Sequence, residues 1–281
     1  MTDFARALHA RYAMPSPTPD PATEWAGATP HPVVDSLLRH CSVRAFLPDP
    51  VSDATLMSLV AAAQSASTSS NLQTWSVVAV RDPERKARLA EVTGGQAHVR
   101  ECPLLLMWIA DLSRLDRVGE VTGVPADADR YLEMFLVSVV DAALAAQNAV
   151  VAAEAMGLGA VYIGAMRNRP EQVARELGLP PRAFAVFGLC LGSPDPARPA
   201  SVKPRLAPSV VLHHEQYRVD ATQERAAFAQ YDTVMRAFQT SQRMPAADWT
   251  AQSSSRVRGP ESLSGRDRLV AALAALGFPL D

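Results

Sequence analysis

The stretch over residues 130–156 is apolar almost all the way round a helical wheel, and it limits what the rest of the chain can be. A surface helix carries a polar face, so a helix without one must be covered on most sides. Its length is close to that of a membrane span. It nevertheless contains Asp141, Gln147 and Asn148 and has no flanking aromatic belts, so it reads as the buried helix of a soluble protein. A partner subunit is one obvious cover. The whole chain has 281 residues, enough for one large domain or two small ones. Such a chain can bury a core without metal or disulfide support.

Charge and cysteine usage remove several function classes. Lys and Arg number 27 against 29 Asp and Glu, a net charge of −2. That argues against a nucleic-acid binder, which needs massed cations, and leaves room for a local pocket that holds a small phosphate. Cys41, Cys102 and Cys190 are widely spaced, with no C-x-x-C pair. Neither a zinc site nor a disulfide scaffold is expected, and a reducing cytoplasm fits. The N-terminus shows no apolar run after a basic start, so no targeting segment is expected.

The pattern around the long helix predicts mostly helices with a few strands. Residues 3–13 form a short amphipathic helix, and four prolines within 15–21 make an extended linker. Residues 1–30 are thus an N-terminal arm, 31–200 a core and 201–281 a C-terminal extension. Helices are expected from Pro32 to near His40, after the cap Ser52, over residues 84–92 and from Pro170 to Gly178. Strands are expected over 74–81, 104–110, 160–163 and 184–191, and residues 112–128 read as an irregular excursion. Without strict strand–helix alternation, the class is α+β rather than a doubly wound sheet.

Several segments concentrate polar chemistry. His40, Ser42 and Arg44 crowd one loop, and Lys203-Pro204-Arg205 offers two cations on a stiffened backbone. Two such elements can converge on one phosphate, or each can be a solvated patch. The tract from Ser65 to Gln73 is rich in hydroxyls, suited to a polyol or simply to capping helix carbonyls. Thr93-Gly94-Gly95-Gln96 is a tight turn, and Tyr162-Ile163-Gly164-Ala165 ends a strand with small residues that let a flat ligand lie against backbone N–H groups. Gly157-Leu158-Gly159 follows a helix and lacks a third glycine, so it is not a dinucleotide fingerprint. His213-His214-Glu215 has no further ligand at useful spacing for a metal. No segment pairs a nucleophile with a base, which suits redox chemistry performed by a bound cofactor.

Taken in order, HCSVR (40–44), STSSNLQ (67–73), TGGQAHV (93–99), AAQNAVVAAEAMGLGAVYIGAMRN (145–168), FGLCLGSP (187–194) and KPRL (203–206) resemble the oxygen-insensitive NADPH nitroreductases. The likeness is to the major nitroreductase and NADPH–flavin oxidoreductase branch, over roughly residues 33–281. It implies an α+β fold with a central mixed, mainly antiparallel sheet. It also implies FMN bound at the interface of a homodimer built on a long apolar helix, and a C-terminal extension that embraces the partner. By the resemblance, His40, Ser42, Arg44, Lys203 and Arg205 hold the FMN phosphate and ribityl chain, with Cys41 contributing through its backbone. Thr68, Ser70 and Gln96 contact the ribityl chain and ring edge. Tyr162, Ile163, Gly164 and Ala165 line the isoalloxazine. Arg243 and Arg266 are candidates for NADPH. This sequence departs from the family's His-Arg-Ser-x-Arg pattern at Cys41 and from its second glycine at Ala165. The implied activity is ping-pong hydride transfer from NADPH, through FMN, to nitroaromatics, quinones or free flavin. A flavin enzyme with a dedicated substrate and a non-catalytic flavin-binding module are the alternatives.

Overall fold

A computed structural model describes residues 3–12 and 29–281. The proline-rich segment over 15–21 lies outside the described residues. In chain order the structure has α1 (Asp3–Tyr12), α2 (Pro32–Arg39), α3 (Asp53–Gln64), β1 (Trp75–Val80), α4 (Pro83–Val92), α5 (Ala97–Glu101) and β2 (Leu104–Asp111). There follow α6 (Ser113–Thr122), α7 (Leu132–Ala155), β3 (Gly159–Ile163), α8 (Pro170–Leu177) and β4 (Ala183–Gly192). The chain closes with α9 (Ala221–Ser241), α10 (Trp249–Arg256) and α11 (Leu269–Ala275). Local chemistry explains several boundaries. The Ser52 hydroxyl accepts from Thr55 N at 3.1 Å to start α3, and Asp82 does the same for Arg85 N at 2.7 Å to start α4. Gly178, at φ 64°, closes α8 in the left-handed conformation.

The chain divides into two units, residues 1–41 with 201–262 and residues 42–200 with 263–281. The larger unit holds the sheet. Its four strands run in the order β1-β2-β4-β3, and every neighbouring pair is antiparallel. The parallel component among the described residues is an isolated bridge between Ser42 and Ala160. Central β2 is buried along its whole length. Leu104, Leu106 and Trp108 share one cluster with Leu59 and Ala63 of α3 and with Ala145, Ala146, Ala149, Val150 and Ala153 of α7. The alanines have no side chain to hold the helix away, so α7 lies close against the sheet. By length and composition α7 could cross a membrane. One face of it packs in the core, with Ala142, Ala145, Ala146, Ala149 and Ala153 all at 0% exposure. The helix is nonetheless covered on one side only, because Leu132, Leu136, Val140 and Leu144 remain 44–54% exposed.

One expectation is corrected. The segment over 112–128 contains a regular helix, α6, rather than an irregular excursion. The Arg182 guanidinium meets Asp116 of α6 at 2.6 Å and Asp129 at 3.4 Å, so a distant cation pins the segment.

In the smaller unit, α1 packs on α2, and α9 packs on α10 with Phe228 and Tyr231 against Trp249.

Candidate functional site

In the larger unit, the structure brings together three of the segments singled out from sequence. Val43 N donates to Ala160 O at 2.9 Å, next to the Ser42–Ala160 bridge, so the loop with Ser42 and Arg44 runs along β3. Gly159 allows this approach: a Cβ there would stand 2.6 Å from Val43 Cγ2. The far end of β3 carries Tyr162 and Ile163, and Gly164 and Ala165 begin the short 3-10 turn beyond it. Ser42 and Arg44 are exposed, and neither side chain has a hydrogen-bond or ion-pair partner among the described residues. An unpaired cation beside a hydroxyl suits an anionic ligand.

The third segment is the turn before α5. Gly94 and Gly95 both take φ of 79°, and Gln96 follows half-buried, its amide donating to Thr93 O at 3.1 Å. His98 comes next. Its Nε2 is buried with no hydrogen-bond partner. Burial first, and the nearby Arg44 charge second, hold the imidazole below its ordinary pKa. The Tyr162 phenol is pushed well up by burial and by Glu154, so it stays protonated.

The hydroxyl tract is organised from below by Asp141 of α7. This carboxylate accepts from Thr68 Oγ1 at 2.6 Å, Ser69 N at 3.3 Å, and Thr74 N and Oγ1 at 3.1 and 3.0 Å. Thr68 Oγ1 also accepts from Gln73 N at 3.0 Å, so its hydroxyl is committed to the fold. Ser70, Asn71 and Gln73 take φ of 48°, 56° and 52°, left-handed conformations that non-glycine residues enter at a cost. Ser70 is exposed and free to meet a ligand. A cleft of about 440 Å³ borders the tract at Leu72 and Gln73 and includes Trp75, Ser76 and Arg114, but none of the predicted flavin contacts.

Sequence reasoning missed Arg167. Its Nη1 reaches Val186 O, and its Nη2 lies 3.3 Å from where a Cβ on Gly164 would be. Burial, then the Arg266 charge, lowers its pKa. The available signal was a cation just past an apolar strand, followed two residues later by Arg169. Arg266, one NADPH candidate, is thereby placed near Arg167, with its Nε on Leu263 O at 3.0 Å. Arg243 belongs to the smaller unit, where it is exposed and takes φ of 54°.

The smaller unit also carries His40, which caps α2 at its C-terminus, half-buried Cys41, and exposed Lys203 and Arg205. Arg205 Nη1 turns back onto Lys203 O at 3.1 Å and Pro204 O at 3.2 Å.

The Nitroreductase family model matches residues 37–193, and the model of the family's C-terminal domain matches residues 203–281. The chain belongs to the nitroreductase family. Within it, an NADPH-dependent oxidoreductase of Staphylococcus epidermidis is 41% identical over 204 residues, 72% of this chain and 81% of that one. An NADPH-flavin oxidoreductase of Vibrio harveyi is 36% identical over 231 residues, 80% of this chain and 91% of that one. Among solved nitroreductase relatives, a nitroreductase from Bacillus subtilis superposes with a TM-score of 0.82 at 32% identity, covering 89% of this chain and 100% of that one. The NADPH:FMN oxidoreductase from Vibrio harveyi complexed with NAD+ gives 0.78 at 32% identity, covering 89% and 99%.

Proposed function

We propose that this nitroreductase is an FMN-dependent NADPH oxidoreductase. The observation that carries the reading is the unpaired Arg44 beside Ser42, laid along the strand that ends in Tyr162-Ile163 and leads into Gly164-Ala165. The residues present fit FMN: a cation and hydroxyl for a phosphate, exposed Ser70 and half-buried Gln96 for ribityl and ring edge, and small residues where a flat ring would lie. His40, Cys41, Lys203 and Arg205 join the proposal as further contacts on the sequence pattern. Thr68 is retained as a positioning residue for the tract. Bound FMN would supply two-electron chemistry, taking a hydride from NADPH and delivering electrons to a nitroaromatic, a quinone or free flavin in the same place. Arg167 sets positive charge beside Gly164, where it would favour negative charge on a bound flavin ring. Tyr162, with its pKa raised, is a weaker acid than an ordinary phenol, so protons are drawn from solvent. Arg266 and Arg243 are proposed for the NADPH phosphates. Three cysteines outside any disulfide fit a cytoplasmic location.

The test is stopped-flow mixing of the purified protein with NADPH or NADH. The expected result is a yellow protein whose flavin absorbance bleaches rapidly with NADPH before any acceptor is added. A flavin that NADPH cannot reduce would exclude the reading.

We also propose a homodimer formed on α7. Leu132, Leu136, Val140 and Leu144 recur every fourth residue, so they make one apolar stripe, opposite a face already packed on the sheet. A second copy offers the same stripe, as a two-fold interface requires. Light scattering should give a dimer for the native chain and a monomer for the Leu136→Glu/Val140→Glu variant. A native monomer refutes the proposal.

A further inference from the structure

The helix α1 lies outside both matches to the family, which begin at residue 37. Its last turn carries Arg11, which is only 6% exposed. A buried arginine must satisfy its donors, and this one spends them on backbone carbonyls from two distant segments. Nε and Nη2 donate to Leu38 O at 3.2 and 2.9 Å, and Nη2 also reaches His40 O at 2.6 Å. Nη1 donates to Lys203 O at 2.8 Å. The backbone closes the joint, because Arg205 N donates to Arg11 O at 2.8 Å. From the other side, the Tyr231 hydroxyl of α9 donates to Pro204 O at 2.8 Å. Arg11 or Tyr231 therefore holds the backbone at each of Lys203, Pro204 and Arg205. The guanidinium also sits at the C-terminus of α2, where the helix dipole favours a cation.

We propose that Arg11 is a positioning residue for the flavin site: it fixes the backbone of His40 and of Lys203-Pro204-Arg205 so that their side chains are preset for the FMN phosphate. The proposal rests on the FMN reading given above. Arg11 itself faces carbonyls, so it acts through the residues it holds. A helix that the family's matched region does not include thereby becomes part of the cofactor site. Presetting matters because a backbone segment that must be ordered on binding is ordered at the expense of affinity.

The experiment measures FMN and riboflavin affinity of the deflavinated full-length protein by fluorescence quenching, for the native chain, Arg11→Gln and Arg11→Lys. Riboflavin lacks the phosphate and serves as the internal control. Arg11→Gln should weaken FMN binding about tenfold or more, the scale of one lost charge-assisted hydrogen bond, and leave riboflavin unchanged. Arg11→Lys, which keeps a cationic donor, should recover part of the loss. If Arg11→Gln does not fold, Tyr231→Phe tests the same segment from α9 and should weaken FMN several-fold with riboflavin unaffected. Equal losses for both flavins, or no loss of FMN affinity, overturn the proposal. A native chain that binds neither flavin instead removes the FMN reading beneath it.

Discussion

Arg44→Ala is expected to purify with little FMN and to bind added FMN about tenfold to a hundredfold more weakly than the native protein. Hydrogen bonds to a charged partner carry about 1.5–3 kcal/mol, and each 1.4 kcal/mol is a factor of ten. Arg44 is exposed and has no protein partner among the described residues, so its removal costs the fold little. The apoprotein should therefore melt at an unchanged temperature while cofactor affinity falls. Arg44→Lys keeps the charge but not the planar fork, so it should fall between the two. A second readout comes from His98, whose pKa is lowered by burial and then by the Arg44 charge. Removing that charge relieves part of the depression, so the imidazole should titrate at higher pH in an NMR titration of Arg44→Ala. If the variant keeps full flavin occupancy, the phosphate assignment is wrong.

What the sequence revealed divides by range. Ser52, Asp82, Gly157 and Gly178 bound their helices through bonds or backbone angles within a few residues, so local pattern was enough to place α3, α4, α7 and α8. The same holds for β1 to β4, whose apolar runs stand between turns. The helix α6 was illegible for a local reason. Its sequence mixes Arg114, Asp116, Arg117 and Glu120 with Gly119, and no side chain caps its start. What holds it is Arg182, more than sixty residues away. Strand order was equally out of reach, because neither β2–β4 nor β3–β4 pairing follows from the spacing of the strands alone. At the candidate site, the resemblance proposed Ser42, Arg44 and Tyr162-Ile163-Gly164-Ala165. It could not supply Arg11, which lies on a helix it does not cover. Arg167 escaped because only a folded backbone shows a guanidinium lying beside Gly164.

Asp141 illustrates the same limit at the largest energetic scale. In the sequence it is one acidic residue that interrupts an apolar helix. In the structure it is 2% exposed and accepts from four donors, at Thr68, Ser69 and Thr74. Oδ2 takes three of these bonds and Oδ1 takes the fourth, from Ser69 N at 3.3 Å. Asp141→Ala strips the acceptor and leaves Thr74, itself 1% exposed, with a buried N–H and hydroxyl unsatisfied. Each buried donor left without an acceptor costs about 1–3 kcal/mol, so the two on Thr74 together cost about 2–6 kcal/mol. In a chain of this size that lowers the melting temperature by of the order of 10 °C. Asp141→Asn keeps an oxygen where Oδ2 stands and forfeits only the longer bond, so it should cost about 1 kcal/mol. The hydroxyl tract should loosen in the alanine variant, because Thr68 and Ser69 lose the anchor that sets the left-handed turn at Ser70 and Asn71. Hydrogen exchange at Thr74 N should accelerate with it. Urea unfolding of the two variants decides the matter: an alanine variant within 1 kcal/mol of native stability, or an asparagine variant as damaged as alanine, means that this carboxylate does not organise the tract.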